Sequence, residues 1–289
     1  MSIDYLQNKI RKLKNPSIVT FFLDKSQIPP AILEQESTVP QAYYTYAKGL
    51  LKILKDIVPA VRFSFGTFAI HGSEGIRILK ELLICAKQLD YYILLDLPEM
   101  TFPKEASLIA DAICDESTWT FDGLTVSAYI GTDALKPLLA HMDHNDKDLF
   151  VLLRTANKSA QELQDLLTGS RLVFTAAADI AKRVGQPYMG RSGFSRVAGI
   201  GPATSPDSLQ TLRVKYPEMF LMVDGYDYSG ANAKNCSVAF DKLGHGGIVC
   251  AGESIFGAWK EEPGTDCFAA AVLAAERMKK NLTRYVTIL

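Results

Sequence analysis

An acid closing an apolar run is the residue type and placement in this chain with the clearest chemical potential. In residues 91–106, YYILLDLPEMTFPKEA, the apolar stretch ends at Asp96, Pro98 interrupts it, and a helical pattern resumes near Phe102. The pattern reads as a buried strand that delivers one carboxylate to its C-terminal end, followed by a loop and a helix. In alternating β/α chains, catalytic groups sit at that position. Other strand-like runs end in the same way. Asp24 and Lys25 follow the first, Arg62 and Ser64 lie in the second, and Ser127 and Tyr129 close the fourth. Arg154, Thr155 and Asn157 follow the fifth, Gly199–Pro202 forms the turn of the sixth, Asp224, Asp227 and Ser229 follow the seventh, and Glu253 and Ser254 close the eighth. Charged groups in apolar strands are expensive unless paired. Two readings follow: a ligand site built from strand ends, or paired structural charges on a solvated rim. For Arg154, Thr155 and Asn157 a capped strand-to-helix turn accounts for the same residues.

These side chains need a scaffold that brings strand ends together. Short apolar or β-branched runs recur at residues 17–24, 60–65, 91–97, 122–129, 149–156, 197–203, 220–226 and 247–254. Between them lie helical patterns at 41–58, 75–89, 103–114, 132–144, 160–167, 172–184, 205–215 and 231–243, flanked by helices at 4–14 and 265–284. Ser205-Pro206-Asp207 opens one helix as a cap signature, and Gly244 suits the C-terminal end of another. Strands alternating with helices imply parallel βα units, and eight of them imply closure into a barrel. An open doubly wound sheet is the structural competitor. Against it, the chain has no G-x-G-x-x-G after the first strand and no G-x-x-x-x-G-K-[ST] anywhere. No repeat or linker divides the sequence. The expected fold class is α/β: a single (β/α)8 TIM barrel over residues 1–289, with an N-terminal and a C-terminal helix.

Composition narrows the function. The 289 residues are 48% hydrophobic and 22% charged, with a formal net charge of −1. That balance offers no electrostatic basis for nucleic acid or an anionic membrane surface as partner. No apolar run approaches a membrane span, and residues 1–14 lack the apolar core of a signal peptide, so a cytoplasmic location is expected. The five cysteines, Cys85, Cys114, Cys236, Cys250 and Cys267, are widely spaced and never form Cys-x-x-Cys, which points to buried thiols in a reducing compartment. His141 and His144 with Asp143 and Asp146 offer metal-ligand atoms, but their spacing equally fits a solvated helix end, and no zinc pattern is present. A metal site is not expected there.

The order of these segments resembles the orotidine 5′-phosphate decarboxylase family, within it the longer bacterial branch, from about residue 10 to about residue 260. KNPSIVTFFLD resembles the family's first strand, and AVRFSFGTFAIHGSEGIRIL its second strand with the A-x-H-G-x-x-G segment. ILLDLPEMTFPKEASLIADA occupies the third-strand signature, and LTVSAYIGTDALKPLL is similar to the fourth, where the family has T-V-N-P-Y-L-G. LFVLLRTANKSAQELQDL matches the fifth, while VDGYDYSGAN and GGIVCAGESI fall at the seventh and eighth.

The resemblance implies a metal-free and cofactor-free decarboxylase. In it, Asp and Lys side chains protonate the developing carbanion while a remote phosphate supplies binding energy. It also implies a homodimer and a nucleotide or nucleoside ligand. The family motif D-x-K-x-x-D reads here Asp96-Leu97-Pro98-Glu99-Met100-Thr101, so Pro98 stands at the lysine position and Thr101 at that of the second aspartate, which in the family reaches the neighbouring subunit. Arg62 replaces the second-strand lysine and cannot give up its proton near neutral pH. Glu253 stands where the family grips phosphate with an arginine, and Ser229 where it has a glutamine. On this reading Asp96 and Arg62 are catalytic remnants, with Asp24, Lys25, Ser127, Arg154, Thr155, Ser229 and Glu253 as the ligand-binding set. Two functions remain open: a catalytically impaired member of the family retained for binding, or an active lyase with rewired acid–base groups, for which Lys25 beside Asp24 is the one available amine. Arg62 is expected to pair with Asp96 or with Asp24, since each needs a counter-charge.

Overall fold

The computed structural model describes residues 2–96, 103–113, 119–228 and 230–289. Eight parallel strands close into a barrel: β1 Ser17–Phe21, β2 Ala60–Ser64, β3 Tyr92–Asp96, β4 Gly123–Ser127, β5 Asp148–Leu152, β6 Ser195–Pro202, β7 Met219–Asp224 and β8 Gly247–Ala251, with β8 paired to β1. The barrel expected from the alternating pattern is therefore the fold. Helices cover the strands from outside, so both strand faces are buried, and the strands accordingly read as near-continuous apolar runs. Among the described residues no helix is long and apolar enough to cross a membrane.

Sequence signals at the helix ends account for the wrapping. The helix α1, Ser2–Leu13, buries Ile3, Leu6 and Ile10, and Ser2 Oγ donates to the Asp122 carbonyl at the start of β4. It thereby caps the N-terminal end of the barrel. The helix α2, Val39–Leu54, begins at Thr38, whose hydroxyl accepts the Gln41 amide hydrogen. The helices α3 Gly72–Gln88, α4 Pro103–Ile113 and α5 Thr132–His144 follow β2, β3 and β4. The helices α6 Val173–Gly185, α7 Pro206–Lys215 and α8 Cys267–Thr283 complete the wrapping, and Asp266 caps α8 through the amides of Phe268 and Ala269. Phe150 of β5 and Phe220 of β7 are buried and pack edge to face with ring centroids 6.3 Å apart.

Two expected helices differ. Instead of a helix over 160–167, a 3-10 turn spans Lys158–Glu162 and a two-stranded hairpin joins Leu167–Thr168 to Arg171–Leu172. The cause is local capture: the Gln164 side chain accepts the Thr155 amide hydrogen and exchanges hydrogen bonds with the Thr155 hydroxyl, while Asp165 is held by Arg154. The helix expected over 231–243 is present only at Ala233–Ser237. Beyond it, Asp241 accepts the amide hydrogens of Leu243 and His245, and Gly244 and Gly246 take positive φ, which turns the chain directly into β8. Apart from β3, the strands also end earlier than their apolar patterns, and the described residues beyond them form loops of the mouth.

Candidate functional site at the barrel mouth

Strand register decides which polar groups meet. Thr20 of β1 lies beside Arg62 of β2, Ser64 beside Asp96 of β3, and Asp96 beside Thr125 of β4. At the C-terminal end of the barrel, Arg62 Nε donates to both carboxylate oxygens of Asp96 at 2.9 Å, and its Nη1 donates to Asp224 Oδ2 at 3.0 Å. The expected pairing with Asp96 is present; the second carboxylate is Asp224 of β7. Asp24 turns aside, accepting the Ser26 amide at 2.8 Å and its hydroxyl at 2.9 Å as cap of the turn Lys25–Gln27.

The cluster is tightly built. Thr125 Oγ1 donates to Asp96 Oδ1 at 2.8 Å, and the Gly225 amide donates to Asp224 Oδ1 at 2.9 Å. Gly225 has φ +81°, and a Cβ there would lie 2.4 Å from that of Ala156, so the turn that follows Asp224 requires glycine. Burial opposes the charge on Arg62, but Asp96 and Asp224 together outweigh it and hold the guanidinium protonated. Cys250 of β8 sits beside it, 2.7 Å from Thr20 Oγ1, and burial pushes its thiol up to about 12, so it is a thiol at neutral pH and no nucleophile.

Above this floor the cavity is walled by Asp227, Tyr226, Tyr228 and Glu253. Asp227 Oδ2 accepts the Gly252 amide at 2.6 Å, whereas its Oδ1 is buried with no partner among the described residues. Glu253 begins the short helix Glu253–Phe256 and is exposed. Lys25 is exposed on its turn and does not line the cavity. Among the described residues that do, Arg62 is the one cation; it is paired with Asp96 and Asp224, and Asp227 and Glu253 line the same cavity. A guanidinium so held cannot act as a general acid near neutral pH.

The remaining candidates lie elsewhere. Ser127 caps the turn Ala128–Ile130 by accepting the Tyr129 amide hydrogen. Arg154 forms a two-pronged ion pair with Asp165, 2.8 Å on each arm, and this hydrogen bonding holds the Asp165 carboxyl below the usual range. Arg154 and Asn157 line a second cavity over β5 and β6 that meets the central one at Asp227 and Tyr228; Thr155 is tied to Gln164. Pro98, Thr101 and Ser229 lie outside the described residues, as does Cys114. His141 pairs with Asp111 at 3.0 Å, and among the described residues no group of three His, Cys, Asp or Glu is set to hold a metal. The sequence reading did not include Thr20, Thr125 and Cys250 in the site. Their signal is a polar atom inside the apolar runs SIVTF, GLTVS and GIVCA, on the same strands as the strand-end groups.

No protein-family model matches the chain. It is 26% identical over 288 residues to the orotidine 5′-phosphate decarboxylase of Clostridium novyi, covering 98% of both chains. The corresponding enzyme of Clostridium kluyveri is 28% identical over 265 residues, 91% of this chain and 89% of that one. The fold is also that of Leishmania donovani OMP decarboxylase, with a TM-score of 0.73 at 21% identity over 97% of this chain and 98% of that one. The resemblance read from the strand motifs thus extends over nearly the whole chain, which is similar to orotidine 5′-phosphate decarboxylases end to end.

Proposed function

We propose that this chain, similar to the orotidine 5′-phosphate decarboxylases, keeps a ligand-binding mouth of the decarboxylase type while being impaired in decarboxylation itself. One observation carries the reading: the single cation among the described residues lining the central cavity, Arg62, is engaged by both Asp96 and Asp224. A proton donor at the reacting carbon contributes about 100- to 10,000-fold in rate, and neither Arg62 nor Pro98 supplies one. The ligand on this reading is a pyrimidine nucleoside or nucleotide, and the chain assembles as a homodimer. Sedimentation velocity tests the second point, with a monomer at micromolar concentration as the contrary result.

The deciding assay follows loss of orotidine 5′-phosphate by absorbance. The expected result is no turnover above the buffer rate, in the wild-type chain and in Asp96→Ala alike. Turnover in the wild type that disappears in Asp96→Ala would overturn the proposal and favour a rewired lyase.

A further inference from the structure

The two cavities of the mouth carry different charge. The central one has a volume of about 250 Å³, and its described lining sets Arg62 against Asp96, Asp224, Asp227 and Glu253. The second has a volume of about 700 Å³ over the ends of β5 and β6, and its charged lining residues are Arg154, Lys158, Asp165 and Asp227. Only the second falls within the range of ordinary small-molecule sites, about 300–1,000 Å³. The cavities share Asp227 and Tyr228, so one ligand can reach into both.

Both carboxylates of the second cavity are already engaged. Asp165 takes two arms of Arg154 at 2.8 Å, and Asp227 Oδ2 takes the Gly252 amide at 2.6 Å. Its cations are less committed. Lys158 is exposed and has no ion-pair or hydrogen-bond partner among the described residues. Arg154 is buried, and its contacts with Asp165 and the Thr155 carbonyl do not exhaust the N–H groups of a guanidinium. Helix α7, ten residues long, starts at the same wall, where Ser205 stands at the cap position without bonding the first amides through its side chain. The positive end of that helix favours an anion, and Asp207 in its first turn offsets part of the effect. An anionic group entering the mouth therefore meets a surplus of acid in the central cavity. In the second it meets a free lysine and an open helix end, beside acids that are already bonded.

We propose that the cavity over β5 and β6 is an anion subsite: it seats the phosphate of a phosphate-ester ligand against Lys158, while the uncharged body of the same ligand lies in the central cavity. The position differs from the end of β8, where the resemblance places a phosphate grip and Glu253 stands. A nucleoside as that body rests on the function proposed above; the anion subsite does not.

Uridine and uridine 5′-monophosphate differ only in the phosphate, and inorganic pyrophosphate probes the subsite alone. Isothermal titration of the full-length chain is expected to favour the monophosphate over uridine by about tenfold. That is the product of one partly exposed charge pair and one helix end, at about two- to fivefold each. Lys158→Gln and Lys158→Glu alter an exposed side chain without partners, so both are expected to fold normally and to bind uridine as the wild type does. The first is expected to cut the phosphate margin by about two- to fivefold and the second to abolish it; added salt narrows it as well. Pyrophosphate is expected to raise the melting temperature of the wild type and not that of Lys158→Glu. A phosphate margin unchanged in both variants overturns the subsite and leaves the nucleoside reading standing, and so does equal binding of uridine and its monophosphate. Stabilisation by pyrophosphate that Lys158→Glu removes, with no binding of either uridine, supports the subsite and overturns the nucleoside reading. Absence of binding by all three compounds overturns both.

Discussion

The two ends of the barrel each bury an arginine among carboxylates, and they use it differently. At the N-terminal end Arg196 donates through all three nitrogens: Nη1 to Asp143 at 2.6 Å, Nε to Asp148 at 3.4 Å, and Nη2 to the carbonyls of Met142 and Lys147. Asp148 also accepts from Tyr92 Oη at 2.9 Å, a contact that Gly123 permits, since a Cβ there would lie 2.6 Å from that hydroxyl. Helix α1 closes this end. At the mouth, Arg62 binds its carboxylates through Nε and Nη1 only, Asp227 Oδ1 has no partner among the described residues, and Asp224 is 38% exposed. The same residue types therefore form a nearly saturated structural knot at one end and an incompletely satisfied, open cluster at the other. Saturation, rather than the presence of charge, distinguishes a structural network from a binding surface.

The largest expected effect is at the closed end. Arg196→Met at pH 8 leaves the fully buried Asp148 without its cation and removes one donor from each of the Met142 and Lys147 carbonyls, of which Met142 keeps the Lys147 amide. The expected loss is about 3–5 kcal/mol, measured from urea unfolding. At pH 5 the same substitution costs less, because burial pushes the Asp148 carboxyl up to about 7 against the pull of Tyr92 and Arg196, and the protonated acid needs no counter-charge. An equal loss at both pH values would show that Asp148 stays ionised and that the closed end depends on a charge pair.

The same carboxyl predicts a slope in the wild type. Its folded value lies above the roughly 3.9 of an unfolded aspartate, so between about pH 4 and pH 7 the folded chain keeps a proton that the unfolded chain releases. Stability from this group is complete below about pH 4, falls as pH rises through 7, and is flat above. The ceiling is about 4 kcal/mol, from roughly 1.4 kcal/mol per pH unit. Subtracting the pH profile of Asp148→Asn from that of the wild type isolates the group, and a difference that does not change with pH would refute it.

Arg154 lies between these extremes. It is buried like Arg196 but holds one loop instead of the barrel wall. Arg154→Met is expected to cost about 1–3 kcal/mol, as loss of a charge-assisted pair with a partner that solvent can reach. Faster amide exchange confined to residues 157–168 is the accompanying readout. Exchange that quickens throughout the barrel would place Arg154 with the structural knot.

How much of this was legible in the sequence follows from the same distinction. Strands such as YILLD and MFLMVD are apolar on both faces and end in an acid, so both their existence and their polar ends can be read directly. Asp96 and Arg62 were recognisable on that basis, as was their pairing. Asp224 was visible as a strand-end acid, but not as the second partner of Arg62, because that contact joins β2 to β7 across the barrel and depends on closure. Asp24 looked equivalent to Asp96 in sequence; the Ser26 hydroxyl and amide capture it locally, and a two-residue turn outcompetes a distant cation. The helices expected over 160–167 and 231–243 were misread for a similar reason, since Gln164 and Asp241 bond to backbone amides that a helix would have used.

The smallest stability effect is expected at the centre of the mouth. In Asp224→Asn the side-chain oxygen still accepts the Gly225 amide hydrogen, and Arg62 keeps its two contacts with Asp96. What is lost is one ion pair whose acid is 38% exposed, and solvent screening limits such a pair to about 1 kcal/mol or less. The melting temperature is therefore expected to change little, while Arg62, released from one counter-charge, becomes more available to an anion. A loss of stability as large as that of Arg196→Met would mean that the mouth cluster holds the barrel closed. In that case Arg62 and Asp224 would belong to the framework, as Arg196 and Asp148 do.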